Sequence, residues 1–391
     1  MRIRVAAVTL VSALMLAACA HQSGGGAPFA PAVLPDGSPD FPEASGTFRV
    51  LHSFSGAPND GRNPEASLIV VNGVLYGTTY GGGANDAGTI FKITPKGVES
   101  VVHSFGGSGD GMFPVAELTN VNGALYGVAA QGGASGNGIA FRVDSSGSYT
   151  KLASFGGGKQ GSSPRGGLVN DNGTIYGSTY AGGAGNAGTV FKLNQGSIQI
   201  VASFSGSNGD EPGDAFVVSK TGLVGTTEAG GSNLVGAVSS VTTGGAVKRL
   251  HSFGNGSDGN TPRSGLINVK GTYYGTTLVG GKSRLGTVYK MSASGRESVM
   301  HSFNGSDSCL PIGTLMQVKG VLYGTTNGGC TDNGSIFKIT TGGAFSIVHS
   351  FVASGAGVNP DAGLVYYKGL LYGITSAGGK HNLGIVFAVS P

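Results

Sequence analysis

The sequence contains no tryptophan, and only 11% of its 391 residues are charged, under half the ~25% usual in soluble domains. The formal charge is +4, and Arg2 and Arg4 fall within the first 18 residues, which leaves +2 beyond them. No basic run occurs anywhere. The electrostatic footprint that nucleic acid demands is therefore missing, and no nucleic-acid partner is expected. Cysteine is scarce: Cys19, Cys309 and Cys330 are the whole complement. Two cysteines alone make a poor metal site, and no metal and no cofactor are read from the sequence. No Gly-x-Ser-x-Gly elbow stands in a strand–helix context, which removes one class of serine hydrolase. What abounds is glycine, 75 residues where ~7% is usual. The 39% of hydrophobic residues fall in periodic runs, which a disordered chain does not show. Many short strands joined by glycine turns fit this composition.

Residues 1–18 begin Met-Arg-Ile-Arg and continue as an apolar run from Val5 to Ala18. A run that short does not span a ~30 Å bilayer as a helix. A positive start before a short apolar stretch is an export signal. It ends in Leu16-Ala17-Ala18-Cys19, which resembles a bacterial lipoprotein box and implies acylation of Cys19. Ordinary cleavage after Ala20, releasing a soluble protein, is the alternative. Several acyl chains would anchor the chain stably where one is marginal. By the same resemblance, Ala20 lacks the Asp of inner-membrane retention, which points to the outer membrane. Residues 19–45 hold Gly, Pro and Ser clusters without alternation and read as a flexible tether. The remaining 46–391 form one repeat-built domain.

A single beat runs through that domain. The Phe of His-Ser-Phe and its variants falls at 54, 105, 155, 204, 253, 303 and 351. Pro64, Pro114, Pro164, Pro212, Pro262, Pro311 and Pro360 keep the same step, near 50 residues, which means propeller blades or a solenoid. Each copy divides into four strands, in the first copy Ser67–Val71, Val74–Tyr80, Thr89–Thr94 and Glu99–Phe105, with Asn72-Gly73 as a hairpin turn. Apolar residues on both faces of the middle strands match blades covered on both sides. Gly77 is expected to make room for a ring from the next blade. The first repeat strand, Thr47–Phe54, is a strand four with no blade before it; the last, Gly384–Ser390, is a strand three with nothing after it. A ring uses that arrangement and an open stack does not. The expectation is an all-β, seven-bladed propeller of four-stranded antiparallel blades, the last closed by the N-terminal strand. A β-helical solenoid is the minor alternative.

Leu-Tyr-Gly-Thr-Thr (75–79), Gly-Gly (82–83), Gly-Thr-Ile-Phe-Lys (88–92) and His-Ser-Phe (103–105) recur at this spacing over nearly all of 46–391. In this the chain resembles the GloVer-type tandem repeat family, whose members are exported proteins anchored in different ways. The resemblance implies no activity and no catalytic residue. The fourth copy departs from the pattern with Val224 for Tyr and Ser239-Ser240 for Phe-Lys.

The candidate residues follow from this frame. His-Ser recurs at His52, His103, His251, His301 and His349, but strand neighbours point to opposite faces, and Ala153 and Ala202 replace His in two copies. A hydrogen bond within the blade is expected, not a Ser–His couple, and no residue is read as catalytic. Asp60, Asp110, Asp210, Asp258 and Asp307 lie at unequal offsets after the Phe and read as turn residues, not calcium ligands. Cys309 and Cys330 fall in two loops on one face of the sixth copy and are expected to form a disulfide in an oxidising compartment. That loop face is the candidate binding surface. The residues after the seven prolines, among them Glu65, Arg165, Arg263 and Asp361, should ring the channel mouth, and they vary where the blade residues repeat. Tyr80 and Tyr180 stand in the other loop set and offer faces to a sugar or peptide. Asp210, Glu211, Asp214 and Glu228 gather in the fourth copy as a cation or basic-peptide site, or as a solvated acidic edge.

The functional expectation is an exported, lipid-anchored, monomeric lipoprotein of the outer membrane that binds an envelope protein or polysaccharide. The alternatives are a polysaccharide hydrolase or lyase, with Glu65 and Asp361 as the carboxylate pair, and a purely structural envelope component. The missing tryptophan weighs against sugar cleavage.

Overall fold

The computed structural model describes residues 48–391 apart from Gln195, Gly329, Thr331, Asp332 and Ala353. The expected signal peptide, Cys19 and the tether lie outside the described residues. Seven four-stranded antiparallel sheets make up the domain. The innermost strands Ile69–Val71, Thr119–Val121 and Val169–Asp171 meet in turn, and Ile69–Val71 also meets Val365–Tyr367, so the ring closes. Blade 1 consists of Ile69–Val71, Val74–Thr79, Thr89–Ile93 and Glu99–Ser104, shorter at the ends by one or two residues than the spacing predicts. Blades 2 to 6 repeat this order. Blade 7 takes Val365–Tyr367, Leu370–Thr375 and Ile385–Val389 from the C-terminal end and Arg49–Ser53 from the other, with Arg49 opposite Ala388. The seven-bladed propeller with a stitched seventh blade is therefore as the sequence implies.

Local chemistry explains the turns. Asn72 and Gly73 sit at φ 51° and 81°, the left-handed pair that a two-residue hairpin needs. The loop after strand four and the loop between strands two and three meet on one face, where Gly61–Arg62 pairs with Gly81–Gly82. These two-residue ladders recur at Gly111–Met112 with Gln131–Gly132 and at Gly259–Asn260 with Val279–Gly280. The sequence gives no sign of them.

The seven repeat Phe residues are all fully buried. Each but one meets, edge to face, the strand-three aromatic of the following blade, as Phe105 meets Phe141 at 5.3 Å between ring centroids. Such pairs add to burial about 0.5–1.5 kcal/mol each. The exception explains the irregular fourth copy. Ser239 removes the strand-three ring there, and Phe216 replaces the leucine found at this point in the other blades. Phe204 now packs on Phe216 at 6.4 Å, so aromatic volume is moved from strand three to the start of the innermost strand and not lost.

Gly77 has a different partner from the one expected. A Cβ at this position would lie 2.7 Å from Phe91 Cζ and 2.8 Å from Leu68 Cδ2. Phe91 belongs to the same blade and stands directly opposite Gly77 in the ladder. The ring thus folds across its own sheet and not in from the next blade, because the pleat sends both residues to one face.

All seven outer strands carry a β-bulge one residue before the His or Ala of the repeat, for instance between the pairs Ile90–His103 and Phe91–Val101. A bulge re-aims the side chain that follows it. In four blades it turns the imidazole toward the Asp of the outgoing loop.

Candidate functional site

The residue after each repeat proline begins the descent from the loop face into the channel. Glu65, Arg165, Arg263 and Asp361 come close enough there to act on one another. Burial and Asp361 together push the Glu65 carboxyl up to about 7, with Arg263 and Arg165 pulling it down. Glu65 is walled in by its neighbours yet opens to solvent, so water screens part of that rise. Burial raises Asp361 to about 6 against the hydrogen bonds from Ser376 Oγ and Asn327 Nδ2 and the charge of Arg263. Burial also raises Glu228, which pairs with Arg263 at 3.4 Å. The pair proposed from sequence, Glu65 and Asp361, is thus brought together across the seam between blades 1 and 7.

The two tyrosines are less available than expected. Tyr80 lies parallel on Phe113 with centroids 4.7 Å apart. The Arg165 guanidinium sits over the Tyr180 ring at 4.6 Å, a cation–π contact. Both rings have one face already occupied. The fourth-copy acids divide. Glu211 and Glu228 stay at the mouth, linked through the Glu228 N–H to the Glu211 carbonyl. Asp210 pairs through its backbone with Ala229 in the loop ladder. Asp214 instead reaches into the channel.

Asp214 is held by three donors from three blades. Its Oδ1 accepts the Ala215 N–H at 2.6 Å; its Oδ2 accepts Thr314 Oγ1 at 2.8 Å and the Gly265 N–H. Beside it, close enough to feel its charge, is Glu117 from blade 2, which the sequence did not single out. Burial first, and Asp214 second, push Glu117 up to about 7. Burial raises Asp214 as well, against its hydrogen bonds. Glycines make the space: a Cβ on Gly167 would lie 2.6 Å from Glu117 Cγ, and one on Gly265 would lie 3.3 Å from Asp214 Cγ. Glu117 also borders a cavity of about 330 Å³ in the channel, lined further by Ser67, Asn268, Thr314, Met316 and Val365. The available signal was repeat-breaking: at Glu117 the other copies place Ser67, Gly167, Ala215, Gly265, Thr314 and Gly363.

The His-Ser repeat turns out to fasten the blades. His52, His103, His251 and His301 hydrogen-bond through Nε2 to Asp60, Asp110, Asp258 and Asp307 at 3.0, 2.8, 3.1 and 2.9 Å. The Asp residues serve these bonds in addition to their turns. Cys309 and Cys330 are joined, with Cα atoms 6.2 Å apart, and tie the two loops of blade 6 together.

A model of the Gloeobacter/Verrucomicrobia repeat matches residues 40–239 and 222–387. The chain belongs to that repeat family. No curated protein matches it. Among solved structures, this repeat protein is similar to a streptogramin B lyase, 13% identical over 88% of this chain and 97% of the other, with a TM-score of 0.58. It is also similar to PorZ of Porphyromonas gingivalis, described as an essential surface component of the type-IX secretion system. That match is 13% identical, covers 86% of this chain and 47% of PorZ, and has a TM-score of 0.56. At such identities the likeness is one of fold, shared by a secretion-system surface component and a lyase alike.

Proposed function

We propose that this repeat protein is an exported, lipid-anchored binding module whose channel mouth receives a basic group of an envelope protein. The observation that carries the reading is the charge at the mouth. Glu65, Glu211, Glu228, Asp361 and, below them, Asp214 and Glu117 form a set of carboxylates faced by two guanidiniums, Arg165 and Arg263. Several of these carboxyls are raised toward neutrality by burial, and a cation entering the mouth would restore their charge. A protein ligand is favoured over a glycan because Tyr80 and Tyr180, the rings a sugar would use, each have a face covered. Attachment through Cys19 is tested by palmitate labelling, expected to disappear in Cys19→Ser. Partner binding is tested by affinity capture from native envelopes with the full chain and with Glu228→Gln plus Asp361→Asn. One recurrent protein retained by the first and lost by the second is expected. Equal retention by both would end the reading, and retention only of polysaccharide would redirect it to a glycan.

A second reading has a specific observation behind it. Two neighbouring, half-buried carboxyls, Glu117 and Asp214, with the Glu117 carboxyl raised to about 7, offer a protonated acid beside a second carboxyl, a starting point for acid–base catalysis on a polysaccharide. Turnover of any polysaccharide in a panel, abolished by Glu117→Gln and by Asp214→Asn, would favour this enzyme over the binding module.

A further inference from the structure

One position in the outer strand decides how each blade grips the histidine of the blade before it. It holds Phe48, Glu99, Tyr149, Ile198, Val247, Glu297 and Phe345 in successive blades. Where it is aromatic, the ring stacks on the imidazole: Tyr149 on His103 at 3.6 Å, Phe345 on His301 at 3.8 Å, Phe48 on His349 at 4.1 Å. Where the histidine is replaced by alanine, the position is aliphatic, and Ala202 and Val247 share one apolar cluster. At the remaining two seams a glutamate faces a His–Asp pair. Packing alone gives no reason for a carboxylate in a half-buried seam beside another carboxylate.

The seams differ in what the Asp already binds. At the seam of blades 1 and 2, Asp110 Oδ1 accepts Tyr149 OH at 2.6 Å and the Gly111 N–H at 2.8 Å. At the seam of blades 5 and 6, Asp307 Oδ1 accepts the Asn304 N–H at 2.9 Å. At the seam of blades 7 and 1, Asp60 Oδ1 accepts the Gly61 N–H at 2.6 Å, and its Oδ2 accepts Ser55 N–H and Oγ. The seam of blades 4 and 5 is the exception. Asp258 is only 9% exposed, and its Oδ1 has no hydrogen-bond partner among the described residues; Glu297 Oε1 has none either, which is equally true of Glu99 Oε1 at the seam of blades 7 and 1, so the unpaired Asp oxygen is what sets this seam apart. Ligand atoms of His251, Asp258 and Glu297 lie within 4.8 Å of one another. Buried oxygens without partners are costly, each by about 1–3 kcal/mol. With both carboxyls ionised, the seam would hold two negative charges within a few ångströms of each other.

We propose that a divalent metal ion binds at the seam of blades 4 and 5 through His251, Asp258 and Glu297. One imidazole and two carboxylates, with a place left for water, is a donor set that suits Zn²⁺. The ion would take up both orphaned oxygens, neutralise the seam and clamp the outer strand Val247–Ser252 of blade 4 to Glu297–Ser302 of blade 5. That is also the blade whose strand-three ring has been moved inward. The corresponding trio His52, Asp60 and Glu99 is the weaker relative, because Asp60 already has its hydrogen bonds made.

The test is titration of the purified, metal-stripped full chain with Zn²⁺, and with Co²⁺ followed by its visible absorption. The wild type is expected to bind one tight equivalent and to develop cobalt–imidazole bands, with a higher thermal midpoint when Zn²⁺ is present. Glu297→Gln, of the same shape, should lose at least tenfold in affinity together with the thermal response. Glu99→Gln should keep the tight site, and its folding controls for the handling of the variants. Absence of tight binding by the wild type would overturn the proposal, as would equal binding by Glu297→Gln. In either case a proton shared between Glu297 and Asp258 replaces the ion.

Discussion

Replacing Glu117 by Gln should stabilise the propeller at pH 8 and leave it nearly unchanged at pH 4.5. Glu117 stands in the channel with Asp214 beside it, and its carboxyl is raised from 4.5 to about 7 by burial and by that neighbour. The folded chain therefore holds a proton that the unfolded chain has released across this interval. Stability contributed by the protonated group is complete below the unfolded value and is lost as pH rises through the folded one. Between the two values the loss is capped at roughly 3 kcal/mol, at about 1.4 kcal/mol per pH unit. Water in the channel and the sharing of charge with Asp214 reduce the expected gain in the variant to about 1–2 kcal/mol. Gln keeps the shape and carries no charge, so the space over Gly167 stays filled. Urea unfolding of both proteins at pH 4.5 and pH 8 measures the difference directly. A variant no more stable than the wild type at pH 8 would refute the reasoning, since it would mean that the ionised pair is not penalised.

Other outcomes follow from the packing. Gly77→Ala should destabilise by about 1–3 kcal/mol through contact with Phe91 and Leu68, and Phe91→Leu should relieve part of that in the double variant, read by urea midpoints. Cys309→Ser should cost roughly 3 kcal/mol, since the bond closes a segment with a sequence separation of 21, and reduction of the wild type should lower its thermal midpoint similarly. His103→Ala loses the bond to Asp110 and the stack on Tyr149, an expected cost of about 1–2 kcal/mol with partner capture unchanged. Asp110 is held below the usual carboxylate range by His103, Tyr149 and Gly111 against the opposing effect of burial, so its contribution is lost as pH falls through the folded value. Acid titration of the wild type should show that loss, and Asp110→Asn should lack it.

Periodicity carried most of the fold. The repeat Phe and Pro positions set blade number, and the mismatch of strand types at the two ends set ring closure. Both depend only on residues near one another in the chain or at a fixed step. The rest depends on closure itself. Glu117 and Asp214 belong to blades 2 and 4, and nothing local marks them as neighbours across a channel. The partner of Gly77 turned on which face of the pleat each residue meets, which the spacing of Gly77 and Phe91 leaves open until the register is fixed. Each loop-face ladder is one glycine–glycine pair beside one pair of varying residues, too short for a side-chain pattern to read. At the blade seams, the identity of one outer-strand residue matters only against the histidine of the preceding blade. Comparing copies as a set, as with Glu297 against Tyr149 and Phe345, makes that visible where a single copy does not.

The binding role of the loop face is tested most directly by photo-cross-linking in native envelopes from single positions on opposite faces. Lys282 and Lys380 are exposed in loop-face segments; Lys319 and Lys368 are exposed in the hairpin turns of the other face. One recurrent protein should be captured from Lys282 and Lys380 and not from Lys319 or Lys368, with capture abolished by Glu228→Gln plus Asp361→Asn. Capture from the turn face alone, or capture indifferent to those carboxylates, would contradict that role.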